Sequence, residues 1–88
     1  MNDEYEIKMS HLCQEISSGG KTVQVDIYED GEGGWLLETV DEYGNSTVWN
    51  YPFKTDAAAL TEVKKTILSE GINALIGPQE GKGKGKWN

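Results

Sequence analysis

The sequence contains no arginine, so it lacks the planar two-pronged cation that nucleic-acid readers place on phosphate and guanine. It holds one cysteine, Cys13, which excludes an internal disulfide and makes a reducing, cytoplasmic setting the expectation. With one histidine, His11, beside that thiol, the chain is too poor in Cys and His for a closed zinc site, which needs four ligands. No apolar run reaches the length of a membrane span, and the opening Met1-Asn2-Asp3-Glu4-Tyr5-Glu6-Ile7-Lys8 lacks the basic-then-apolar order of a secretory signal. Bulky apolar residues are also scarce: Leu, Ile, Val and Phe supply 18 of 88 residues, close to the composition of disordered chains. Three Trp and four Tyr restore the balance toward a folded core.

The charge that is present is uneven. Residues 1–60 hold twelve Asp/Glu against Lys8, Lys21 and Lys54, a balance of −9, whereas residues 61–88 hold three Glu against five Lys, a balance of +2. An acidic body repels phosphate backbones and anionic lipid and attracts basic surfaces. The expected partner is therefore another protein, or a second copy in a homodimer, and neither nucleic acid nor a membrane. A chain of 88 residues has room for one domain. Its expected parts are an N-terminal arm or extra edge strand over 1–9, a body over 10–77 and a Gly/Lys tail over 78–88.

Within the body, Val23, Val25 and Ile27 alternate with Thr22, Gln24 and Asp26, the period-2 pattern of a strand with one buried face. Leu12, Gln14 and Ile16 share one side of a shorter run, and Ser17-Ser18-Gly19-Gly20 supplies a turn that pairs the two runs. Tyr5, Ile7 and Met9 also alternate, but in the opposite phase, so continuing the first strand upstream requires a bulge near Ser10–Leu12. Asp30-Gly31-Glu32-Gly33-Gly34 ends the second strand. A third strand over Trp35–Val40 and a fourth over Ser46–Tyr51 follow, joined at Gly44-Asn45 and closed by Pro52, which cannot donate to a ladder. Thr55 or Asp56 then caps a helix whose stripe is Leu60, Val63 and Ile67 with Ala59, and Gly71 stops it. Ile72, Leu75 and Ile76 form a short apolar extension. The fold class that results is two-layer α+β: an antiparallel four-stranded sheet (β-β-β-β-α) with one C-terminal helix packed on one face.

The run Gly34-Trp35-Leu36-Leu37-Glu38-Thr39-Val40-Asp41-Glu42-Tyr43-Gly44-Asn45-Ser46-Thr47-Val48-Trp49, with Phe53-Lys54-Thr55-Asp56 and Glu70-Gly71-Ile72, resembles a group of small uncharacterised bacterial proteins. The similarity extends over residues 18–77, and its most specific part is Asp-x-x-Gly-Asn-Ser-Thr-x-Trp at Asp41–Trp49. It implies a bacterial cytosolic setting and a strand-rich fold, and it carries over no catalytic residue.

Several clusters invite chemistry and mostly have plainer explanations. His11 and Cys13, two apart in a strand, would lie about 6–7 Å apart at Cα, too far for a direct nucleophile–base pair, and no acid is placed to orient the imidazole. Asp26, Glu29, Asp30 and Glu32 crowd a glycine-rich turn but lack the alternating spacing of a calcium loop. Gly31-Glu32-Gly33-Gly34 lacks the Lys-Ser/Thr ending and following helix of a phosphate loop. No cofactor is called for.

Two constellations remain. Asp41, Tyr43, Asn45 and Thr47 form a dense polar turn, either self-bonded architecture or a recognition loop. Trp35, Trp49 and Tyr51 form an aromatic set. One helix covers one side of a four-stranded sheet, so aromatic bulk on the other side would be an association surface. The function expected is a non-enzymatic protein-interaction module using those seven residues. The alternatives are a ligand-binding or enzymatic domain built on Asp41, Asn45 and Thr47, and weak single-strand nucleic-acid binding through Trp and the Lys tail.

Overall fold

A computed structural model of the protein describes residues 8–78. The expectations for residues 1–7 and 79–88 lie outside the described residues. Four strands, β1 (Gln14–Ser18), β2 (Lys21–Glu29), β3 (Trp35–Asp41) and β4 (Ser46–Val48), form one antiparallel sheet in sequential order. They are followed by a helix, α1 (Asp56–Glu70), and a 3-10 helix (Ile72–Leu75). The architecture is the α+β arrangement that periodicity and breakers indicate.

The sheet buries one face. Val23, Val25 and Ile27 of β2 stand beside Asp41, Thr39 and Leu37 of β3 in register, and all six are buried. Ala59 and Val63 of α1 close over them, with Ile72 and Leu75 of the 3-10 helix. Withdrawing each Val, Leu or Ile side chain from water contributes about 1.5–3 kcal/mol, so this layer supplies most of the drive to fold. Leu60 and Ile67 complete the expected stripe from its margin, partly buried against the same cluster.

The ends of α1 follow from local chemistry. Thr55 is extended, and its hydroxyl accepts the amide hydrogen of Ala58 at 3.0 Å, satisfying one orphan donor of the first turn. At the other end Gly71 takes φ 84°, a conformation costly for any residue with a Cβ, and its amide donates to the Ile67 carbonyl at 2.9 Å.

Both sheet edges are kinked by an insertion. The register Gln14↔Val25, continued, would set residue 11 opposite Tyr28; Met9 stands there instead, so two residues are looped out. The segment rejoins β2 through the amide of Ser10, which donates to the Ile27 carbonyl at 2.8 Å. Pairing upstream of β1 thus resumes only past an irregularity near Ser10–Leu12, the condition that the phase of Met9 sets for a continued strand. This irregularity also corrects the reading of His11 and Cys13 as strand neighbours on one face: β1 begins only at Gln14, and His11 sits in the turn. The Cys13 sulfur lies 3.2 Å from the Ile27 amide and 3.4 Å from its carbonyl, taking the place of a backbone partner.

The second edge requires a further correction. The fourth strand ends at Val48, not Tyr51. Continuing Glu38↔Val48 would bring Tyr51 opposite Trp35, yet Phe53 occupies that position, bonded to Trp35 in both directions at 2.9 and 2.8 Å. Pro52 has no amide to donate, so the chain loops out before it and re-pairs after it. Bulges of this kind shorten edge strands and discourage edge-to-edge pairing between copies.

Candidate interaction face

The polar turn between β3 and β4 looks inward. Asp41, 6% exposed, accepts the amides of Tyr43 and Asn45 on Oδ1 at 2.8 Å each. Its Oδ2 accepts the side-chain amide of Asn45 at 3.0 Å and the backbone amide of Gly77 at 2.7 Å. Asn45, also buried, donates from Nδ2 to the Pro78 carbonyl at 2.8 Å. Burial works against ionisation of Asp41, but donation from Gly77, from the side chain and backbone of Asn45 and from Tyr43 outweighs it and holds the carboxyl below its ordinary value. The cluster is a clasp that ties the residues after the 3-10 helix to the β3–β4 turn. Tyr43, by contrast, is exposed at the tip of the turn.

The aromatic set divides. Trp35, Trp49 and Phe53 pack against the core cluster on the α1 side, and the Trp49 amide donates to the Leu37 carbonyl at 3.1 Å. Thr47 faces the same side, opposite the buried Thr39. Tyr51 is half exposed within the looped-out segment, its ring 5.2 Å from that of Phe53. The structure therefore brings Asp41 and Asn45 together and places Trp35, Trp49 and Thr47 on the covered side. Tyr43 and Tyr51 remain outward on separate loops.

The side of the sheet away from α1 is composed of other residues. Register sets Met9, Tyr28 and Leu36 in one row, Asp26, Glu38 and Val48 in the next, and Gln24, Val40 and Ser46 in the third. Val48 and Met9 are exposed, and Tyr28, Leu36 and Val40 are half-buried. At the centre Asp26 and Glu38 are direct cross-strand partners. Directly opposed residues in an antiparallel pair have Cβ atoms about 4.5–5.5 Å apart, and like charges there are destabilising. Burial and the neighbouring Asp26 push the Glu38 carboxyl above its ordinary value, partly offset by a hydrogen bond from Ser46. Burial, Glu38 and Asp26 likewise push the Tyr28 phenol up. Gln24 donates to Asp26 at 3.2 Å; neither carboxylate meets a cation among the described residues. A recess of about 280 Å³ opens between Met9, Asp26, Tyr28 and Glu38.

Sequence reasoning missed this pair because it grouped Asp26 with Glu29, Asp30 and Glu32 along the chain. In the fold those carboxylates disperse: Asp30 turns back to accept the amides of Glu32 and Gly34 at 2.7 and 2.9 Å. Among the described residues no three His, Cys, Asp or Glu side chains assemble as a metal-ligand group. The available signal was phase: Asp26 alternates with Val25 and Ile27, and Glu38 with Leu37, so both belong to the face opposite the core. No helix among the described residues is long and apolar enough to cross a membrane. The chain matches no protein-family model, no curated protein and no solved structure, so no functional residue is transferred to it from a relative.

Proposed function

We propose that this chain is a non-enzymatic protein-interaction module that docks another protein on the open face of its sheet. The observation that carries the reading is the face itself: Met9, Tyr28, Leu36, Val40 and Val48 surround a carboxylate pair and nothing in the described chain covers them. Apolar area of this kind supplies affinity, and the charge at its centre supplies selection. A second copy is the poorer occupant. Two such faces meeting about a two-fold axis would bring two Asp26–Glu38 pairs together, in a chain already carrying a net charge of −7. The ligand-pocket alternative is less well supported, because Asp41 and Asn45 already spend their polar atoms on the turn and on Gly77 and Pro78. Single-strand nucleic-acid binding is disfavoured by Trp35 and Trp49 packing on the core side and by the acidity of the open one.

The test is selection of displayed random peptides on the immobilised full-length chain. Enriched peptides should lose at least tenfold in affinity against Leu36→Ser/Val48→Ser and keep it against Leu68→Ser on the outer side of α1. Equal binding to all three proteins, or dependence on Leu68 alone, refutes docking on the open face. Light scattering should find the chain monomeric at neutral pH.

A further inference from the structure

The identity of the partner's central contact follows from the geometry of that face, and the inference rests on the docking reading above. We infer that the recess between Met9, Asp26, Tyr28 and Glu38 seats the cationic side chain, lysine or arginine, of a docked protein segment whose neighbouring residues are apolar.

Three features converge on this occupant. Asp26 and Glu38 project from adjacent strands toward the same side, so one cation between them reaches two carboxylates at once. Their mutual repulsion, eased among the described residues by hydrogen bonds from Gln24 and Ser46 but by no cation, becomes attraction to whatever positive group enters. The walls are a thioether and a phenol, surfaces suited to the apolar stem of Lys or Arg, with the Tyr28 ring also available to a cation. A recess of about 280 Å³ has room for one such side chain. Around it Leu36, Val40 and Val48 form an apolar margin, which sets the chemistry of the segment on either side of the cation.

Charge complementarity also separates this occupant from the others. A second copy brings only more carboxylate to the face. An anionic or polyphosphate ligand meets the −9 balance of residues 1–60.

The experiment uses the peptides selected above, resynthesised with each Lys or Arg replaced by citrulline, a neutral near-isostere of arginine, and titrated against the full-length chain. One position should show at least a tenfold loss with citrulline. Asp26→Asn/Glu38→Gln, which removes a repulsion and so keeps the fold, should abolish the difference, with both peptides binding within twofold. Peptides that bind equally with citrulline, yet still depend on Leu36 and Val48, overturn the cation seat and leave the docking face standing. Peptides indifferent to Leu36→Ser/Val48→Ser overturn both. A third arm uses Lys82→Ser/Lys84→Ser/Lys86→Ser in the full chain. Unchanged affinity supports an external partner, and a gain of tenfold or more would assign the seat to the chain's own basic segment and overturn the partner assignment.

Discussion

The carboxylate of Asp41 accepts the amide hydrogen of Gly77 at 2.7 Å, joining positions 36 apart in the chain. This bond explains why the polar turn is polar. The 3-10 helix lays Ile72 and Leu75 on the core, and the clasp holds the segment that follows it against the β3–β4 turn. In a small domain with few bulky apolar residues, such a fastening supports packing that area alone sustains weakly.

Asp41→Asn should destabilise the protein by about 2–3 kcal/mol, the scale for hydrogen bonds to a charged group that leave buried donors unpaired. Urea unfolding should show a lower midpoint at unchanged slope. A change near zero would mean that the clasp is dispensable.

The same carboxyl contributes to the acid limb. Its folded value is lowered, so between that value and the unfolded one, about 3.9, the unfolded chain binds the extra proton. The stabilisation is fully present above the unfolded value and is lost as pH falls through the folded one. Urea midpoints measured from about pH 4 downward should fall for the wild type, and Asp41→Asn should show a shallower decline.

Gly77→Ala should destabilise by about 1–3 kcal/mol, as overpacking does. A Cβ there would stand 2.6 Å from Cγ of Asn45. In an Asn45→Ala background the contacts with Cγ and Nδ2 are removed and only that with Cβ, at 2.9 Å, remains, so the cost of Gly77→Ala should shrink. Additive costs in a double-mutant cycle would show that the two residues act separately.

Thr39→Val should leave stability equal or raise it by about 1 kcal/mol. The Thr39 hydroxyl is fully buried with no hydrogen-bond partner among the described residues, and removing an unpaired buried group recovers its desolvation cost. A thermal midpoint lowered by several degrees would show that the hydroxyl has a use.

Glu38→Gln should stabilise the free protein at neutral pH by about 0.2–1 kcal/mol, the scale of cross-strand pair effects. Here the sign is opposite to that of Asp41. The folded value is raised, the native state binds the extra proton, and wild-type stability falls as pH rises from the ordinary carboxylate value through the raised one. Denaturant midpoints from pH 4 to 7 should decline less steeply in the variant.

Much of the fold was legible because its signals are local. The alternation at Val23, Val25 and Ile27, the cap at Thr55 and the stop at Gly71 each operate within a few residues. The end of β4 was misplaced by three residues because Pro52 was read as a terminator, whereas the chain loops out ahead of it and re-pairs at Phe53. Asp41 and Asn45 meet in the turn where the sequence groups them, but whether a polar turn faces solvent or the body depends on Gly77 and Pro78.

What the sequence determined by itself was the order of elements, the residues that form the core stripe and the exclusion of an internal disulfide, since periodicity, caps and composition need no distant partner. Only the tertiary structure decided that Asp41 turns inward, that Trp35 and Trp49 pack on the helix side, and that Asp26 meets Glu38. Those outcomes depend on strand register and on the docking of the 3-10 helix and the residues that follow it, and both are set by contacts between residues far apart in sequence.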